Sequence, residues 1–257
     1  MHSTHNPFIP QEYIESIKIS SRFVRTLLPV NFIPTFTLTL GSGGLGKITS
    51  IINLAADPIP YEEIPSFPKS TVSDHEGKVL AGHISEVPVL ILQGRCHFYE
   101  TGGQSDTVTA MRKVTFPVCV AGDLGAHIYI ATNAAGGLNT SYKKGDLMFI
   151  TSHMGLFMPN PLLGPHVNFM DAPPFQPQHT QYNPQFVQFL QEAASTVGES
   201  SHVHVGVYGA IPGRTYESKP ESNFLRLAGV DAVGMSTIPE IIVASNISKL
   251  GSKDAII

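Results

Sequence analysis

Over residues 11–28 the apolar positions Tyr13, Ile14, Ile17, Phe23, Val24, Leu27 and Leu28 recur at helical spacing, with Lys18, Ser21 and Arg25 between them. This predicts an amphipathic helix, closed by Pro29 and Pro34. TFTLTL, residues 35–40, alternates β-prone residues and predicts a strand. GSGGLG, residues 41–46, predicts a tight glycine turn. A proline-rich loop covers 58–72. Apolar runs at 79–84 and 88–92 predict paired strands around Ser85 and Glu86. Residues 108–126 mix both periodicities and are assigned to a helix covering the sheet. Strands follow at 128–131 and 147–152. From 158 to 183 prolines recur without periodicity, which marks a long loop of the kind that is usually functional. Helices are then expected at 186–197 and 219–228, and strands at 203–208 and 232–235. Thr237-Ile238-Pro239-Glu240 has the form of a capping box, with Thr237 at N-cap and Glu240 at N3. It opens a helix expected to run through Ile241 and Val243 to Leu250, with Gly251 as its C-cap. Residues 255–257 begin a further strand. The alternation predicts one α/β domain spanning 1–257, with a sheet flanked by helices.

Composition narrows the class. Of 257 residues, 42% are hydrophobic and 14% charged, which supports one sizeable core and excludes general disorder. A net charge of -4 argues against a broad nucleic-acid or membrane surface and leaves local basic sites for anions. Two cysteines, Cys96 and Cys119, make neither a disulfide framework nor a metal-type spacing. The opening MHSTHNPF is not a signal peptide, no run is long enough to span a membrane, and a cytoplasmic enzyme is expected. The 11 histidines contain no H-E-x-x-H pair, and no G-x-S-x-G elbow is present, so no metal site or serine hydrolase is expected.

Five stretches carry candidate chemistry. GSGGLG after a strand could cradle an anion with backbone N–H groups, Ser42 adding a hydroxyl, or could be a plain turn; its spacing fits neither a dinucleotide fingerprint nor a phosphate-binding G-K-[ST] loop. QGRCHFYE places Arg95, His97 and Tyr99 at alternate positions, on one face if the segment is extended, where they could converge on a phosphate and a sugar hydroxyl. TNAAGGLN lets backbone approach a ligand at a strand's carboxyl end, or simply turns. Ser236 precedes a helix N-terminus that favours anions, although capping alone accounts for it. Tyr216 beside Glu217 suits a purine, one stacking and the other accepting N–H bonds; a solvated acid at a helix start is the plainer alternative.

Taken together with EIPSFPKSTVSDHEGK, RKVTFPV, GDLMFI, NPLLGP, RTYES and AGVDAVGMSTIPE, these motifs run in order from Gly41 to Glu240, and the chain resembles the trimeric purine nucleoside phosphorylases. The resemblance implies a three-layer α/β/α domain with a central mixed, partly barrel-like sheet. It implies phosphorolysis of inosine and guanosine to the free base and ribose 1-phosphate, with inorganic phosphate as co-substrate, no cofactor and a homotrimeric assembly. It places phosphate on Ser42, His75, Arg95, the Ala134 backbone N–H and Ser236. Tyr99 would bond the ribose, with Met235 beneath it; His97 would border the ribose and a subunit interface. Phe169 would reach into a neighbouring subunit's site. Tyr216 would stack on the base and Glu217 would accept its N1–H. Asn133, Ala134, Ala135, Gly136 and Val233 would line the purine pocket. Glu217, His97 and Ser236 are the expected catalytic positions.

Three departures from the family pattern stand out: the glycine order in GSGGLG, the polar TGGQSDTVTAM after Glu100, and the end of the chain at Ile257. Members of the family continue through a strand ending near a Thr-Asn pair and a helix carrying a histidine, which contact the purine N7 side and the ribose 5′-hydroxyl. A truncated member is expected. A weakly active or non-enzymatic nucleoside-binding relative, or a methylthioadenosine phosphorylase, are the alternatives.

Overall fold

The computed structural model describes residues 10–42, 45–72, 75–101, 106–179 and 181–247. Gly43 and Gly44, part of the segment after Thr101, the expected end of the last helix with Gly251, and the expected strand at 255–257 lie outside them.

Among the described residues ten strands and five α-helices alternate. They are α1 (Pro10–Leu27), β1 (Phe36–Leu40), β2 (Asn53–Leu54), β3 (Ile59–Pro60), β4 (Lys78–Ile84), β5 (Val87–Gln93), α2 (Thr107–Asp123), β6 (Ile128–Ala131), β7 (Gly136–Gly137), β8 (Leu147–Met154), α3 (Pro184–Thr196), β9 (Val203–Ala210), α4 (Lys219–Leu227), β10 (Ala232–Gly234) and α5 (Ile238–Asn246). The strands form two mixed sheets where one central sheet is expected. The larger has the order β2-β4-β5-β1-β6, with β3 pairing β4; the smaller has the order β7-β10-β9-β8.

Hydrophobic alternation explains the larger sheet. In β5, Leu90 and Leu92 face the main core, while Val89 and Ile91 face a second cluster with Leu38, Leu40 and Leu80. A strand buried on both faces reads as an unbroken apolar run, as expected for the interior of an α/β sheet. The two-residue Ser85-Glu86 turn, with Ser85 at φ 52°, joins β4 and β5 in the expected antiparallel register. α2 covers the sheet and is buried almost throughout from Ala110 to Gly122, which is why its sequence lacks an amphipathic period. α5 is likewise buried along nearly its whole length and packs on α2. Among the described residues no helix is long and apolar enough to cross a membrane.

Strand direction assembles the functional region. β1 runs parallel to both β5 and β6, so the segments following Leu40, Gln93 and Ala131 emerge side by side. Backbone bonds hold them there: Gly94 N–H donates to Leu40 O (3.0 Å) and Thr132 N–H to Thr39 O (2.9 Å). β9 and β10 are also parallel, and Ile211 N–H donates to Gly234 O (2.9 Å). Carboxyl ends of adjacent parallel strands are where α/β folds place ligands.

The capping box falls in a different place from the one expected. Thr237 is the N-cap residue of α5, but its backbone has φ 71° and its side chain makes no cap hydrogen bond. Its hydroxyl instead donates to Asn133 Oδ1 at 2.7 Å, and Glu240 is drawn away to Arg95. The same S/T-x-P-E pattern closes a box at Ser218, whose N–H and hydroxyl donate to Glu221 Oε2 at 2.7 and 2.6 Å. Glu221 is exposed, and among the described residues it forms no ion pair, so it can serve the helix end.

Candidate functional site

Gly94 sets the geometry after β5. At φ 113° it occupies a region that favours glycine, and a Cβ there would lie 2.7 Å from His75 Cβ. The chain therefore turns, and QGRCHFYE is not one extended strand: β5 stops at Gln93 and residues Phe98–Glu100 form a 3-10 turn. The one-face expectation fails for Arg95, which turns into the interior and is 3% exposed. It holds for His97 and Tyr99, whose rings stack 4.7 Å apart. His75 extends the stack, 5.2 Å from His97.

His75 links the stack to the glycine turn. Its Nε2 lies 3.3 Å from Ser42 Oγ. Its Nδ1 lies 3.2 Å from the Arg95 backbone nitrogen, 3.1 Å from Ser70 Oγ and 3.1 Å from the Arg95 carbonyl oxygen. The Arg95 N–H aimed at Nδ1 favours an unprotonated Nδ1, which puts the ring proton on Nε2 toward Ser42. Burial, followed by the Arg95 charge, lowers the pKa of His75 and favours this neutral ring. An Nε2–H donor and a serine hydroxyl side by side suit an anion oxygen.

The Arg95 guanidinium packs against Gly41, the residue before Ser42. Nε donates to both oxygens of Glu240 at 3.3 and 3.2 Å, and Nη1 donates to Thr132 O at 2.8 Å. Nη2 stands 3.1 Å from Glu240 Oε2, at ion-pair distance but outside hydrogen-bond geometry. The guanidinium fits only because residue 41 is glycine: a Cβ there would sit 2.0 Å from Nη1.

Glu100 braces the other side. It accepts from His97 N–H at 2.7 Å, lies 2.5 Å from His97 Nδ1, and accepts from Thr71 N–H and Thr71 Oγ1 at 2.7 and 2.6 Å. Burial alone would raise its pKa, but the bonds from His97 and Thr71 outweigh burial and hold it at about 2. A depressed carboxylate contributes stability that is complete above its ordinary value of 4.5 and is lost as pH falls toward 2. Glu100→Gln should therefore melt lower than the parent at pH 6, with the two melting curves converging as pH falls. Melting temperatures that run parallel from pH 6 to 3 would rule out this role for Glu100.

A cavity of about 320 Å³ opens beside the stack, lined by Thr71, Val72, Tyr99, Arg214, Tyr216 and Met235. Gly213 nests between Met235 and Tyr99: a Cβ on it would lie 2.6 Å from Met235 Sδ and 2.8 Å from Tyr99 Cδ1. The Arg214 guanidinium lies over the Tyr99 ring at 5.4 Å. Tyr216 offers a bare ring, 85% exposed, at the cavity wall. Glu217, half-buried, follows it without bordering the cavity.

The remaining expected positions divide. Asn133 is tied to Thr237, one residue from the buried Ser236. Ala134 and Ala135 are exposed, and Gly136 pairs with buried Val233 across β7 and β10. Phe169 does not project outward. It is 5% exposed, in the main core with residues of α1, α2 and α5. Positive φ at Met170 and Asp171, and the bond from Ala172 N–H to Phe169 O (3.1 Å), curl its loop back onto its own chain. Sequence reasoning missed Glu240 and Glu100, the carboxylates that brace Arg95 and His97. Glu240 could have been flagged as an acid in a helix buried on all sides, where a charge requires a partner.

Residues 35–248 match the phosphorylase superfamily. Purine nucleoside phosphorylase 1 of Bacillus subtilis is 41% identical over 232 residues, covering 90% of this chain and 80% of its own length. The purine nucleoside phosphorylase of Saccharomyces cerevisiae is 37% identical over 222 residues, covering 83% and 68%. Among solved structures, isoform 2 of purine nucleoside phosphorylase from Schistosoma mansoni, in complex with cytosine and ribose-1-phosphate, superposes with a TM-score of 0.80 at 33% identity. That superposition covers 91% of this chain and 79% of the other.

Proposed function

Since this chain belongs to the purine nucleoside phosphorylases of the phosphorylase superfamily, we propose that its cleft cleaves 6-oxopurine ribonucleosides with inorganic phosphate. A phosphate oxygen bonds to C1′ as the C1′–N9 bond breaks. The bonding pair leaves with the purine, a purine nitrogen takes up the proton that the phosphate gives up, and the products are ribose 1-phosphate and the free base. The observation that carries this reading is the convergence of Ser42, His75 and Arg95 from three adjacent strand ends beside a cavity walled by Tyr99, Tyr216 and Met235.

In this reading phosphate meets the Ser42 hydroxyl, the neutral His75 ring, the Ala134 N–H and Ser236. The Arg95 charge lies close behind them and balances the oxyanion. Tyr99 contacts the ribose over Met235, and His97 is held beside it by Glu100. The purine lies against Tyr216 and the backbone of 133–136, backed by Val233, with Glu217 accepting N1–H. Phosphate is the co-substrate and no cofactor takes part. The working unit is a cytoplasmic homotrimer of one-domain subunits.

The test is release of hypoxanthine from inosine with and without inorganic phosphate. Release that requires phosphate and yields ribose 1-phosphate is expected. Release without phosphate, giving free ribose, or no release at all, would overturn the reading.

A further inference from the structure

We infer that Glu240 is a positioning residue for the phosphate co-substrate, acting through Arg95; this rests on the phosphorolysis proposed above. Glu240 is 4% exposed and stands at the third position of α5, where the sequence pattern would have it cap the helix. It forgoes that role and receives Arg95 Nε on both carboxylate oxygens. The Thr132 carbonyl takes Nη1 from the other side. These two acceptors fix the plane of the guanidinium under Gly41 and Ser42.

Three features point to positioning rather than to a stabilising ion pair alone. A buried pair is weak evidence for stability, because apolar residues of similar volume often do as well. The grip leaves Nη2, although buried, with an ion-pair contact to Glu240 but no hydrogen bond among the described residues. The surroundings are also closed to solvent. Tyr61, Tyr129 and Tyr208 are each almost fully buried and lie close enough to interact with both charges. A guanidinium free to rotate in that collar would lose its aim at an anion above it. Glu240 itself touches no substrate, and its effect should follow phosphate and spare the nucleoside.

Glu240→Gln keeps the shape and one acceptor oxygen but removes the charge. It should raise the KM for phosphate at least tenfold while the KM for inosine stays within twofold and kcat falls less than the phosphate KM rises. Glu240→Asp, which keeps the charge on a shorter arm, should lie between the parent and Glu240→Gln. Calorimetric titration of inorganic phosphate should give the same ranking without turnover. If Glu240→Gln does not fold, Arg95→Met and the double variant Arg95→Met/Glu240→Gln decide the matter, because no charged pair remains in the latter. Equal phosphate affinity in those two variants supports action through Arg95, and a further loss in the double variant overturns it. A folded Glu240→Gln with parental phosphate affinity overturns it as well. If the parent protein binds phosphate but does not cleave inosine, the phosphorolysis reading fails while this inference is still decided by the titrations.

Discussion

Gly41→Ala is expected to lose roughly 100-fold or more of phosphorolysis rate and about 2–6 kcal/mol of stability, from a single methyl group. An added Cβ would lie 2.0 Å from Arg95 Nη1 and 2.5 Å from Thr132 O. The carbonyl belongs to the backbone after β6 and is tied to the sheet through Thr132 N–H on Thr39 O, so relief requires both this backbone and the guanidinium to shift. Moving it breaks the 2.8 Å bond from Nη1 to Thr132 O. That leaves a buried donor unsatisfied, at a cost of about 1–3 kcal/mol in addition to the overpacking. Gly198→Ala separates the two losses: a Cβ there meets nothing within 4 Å, but φ is 78°. It should lower the melting temperature slightly and leave turnover intact. Gly41→Ala with parental turnover would mean that the Arg95 position is irrelevant to the reaction.

How much of this was legible from sequence depended on what kind of signal each residue carries. β1, β4 and β5 were legible because their apolar runs are short, β-branched and bounded by turns. α1 was legible as a helix because one side is wet; of its expected stripe Ile17 and Val24 are buried, but Ser16, Ser20 and Ser21 are buried beside them and Leu27 is exposed. β7 was not, since Gly136 and Gly137 have no side chains and pair with β10 through backbone alone. The division into two sheets is likewise a matter of hydrogen-bond partners, which periodicity does not encode.

The site followed the same rule. Ser42, His75, His97 and Tyr99 were named from motifs, and the strand ends bring them together. The two S/T-x-P-E patterns could not be ranked from sequence. Which glutamate caps its helix depends on whether a cation reaches it, and Arg95 lies 145 positions from Glu240 along the chain. The turn at Gly94 sent Arg95 inward, where an alternation rule places it beside His97 and Tyr99. A glycine at positive φ breaks period-two reasoning for the residue that follows it, while His97 and Tyr99 still share a face. Phe169 shows the limit for loops: an aromatic residue in a proline-rich stretch is equally suited to a partner or to its own core, and here Met170 and Asp171 turn it inward.

Glu217→Gln is expected to collapse a large preference for inosine over adenosine. The parent should favour inosine by a factor of hundreds in kcat/KM. Hypoxanthine offers an N1–H donor to a carboxylate, whereas adenine presents a bare N1 that leaves the carboxylate unpaired, a mismatch of roughly 3 kcal/mol or more. Glutamine can present its oxygen to one base and its amide to the other, so the ratio should fall to within about tenfold. The local structure supplies the rigidity this needs. Glu217 directly precedes Ser218, whose bonds to Glu221 anchor the start of α4. The desolvation would come from the ligand: Tyr216 is 85% exposed, and a purine laid on that ring would cover the neighbouring carboxylate as well. Competition between inosine and adenosine in one reaction gives the ratio directly. Equal turnover of the two by the parent, or an unchanged ratio in Glu217→Gln, would show that the base is read elsewhere.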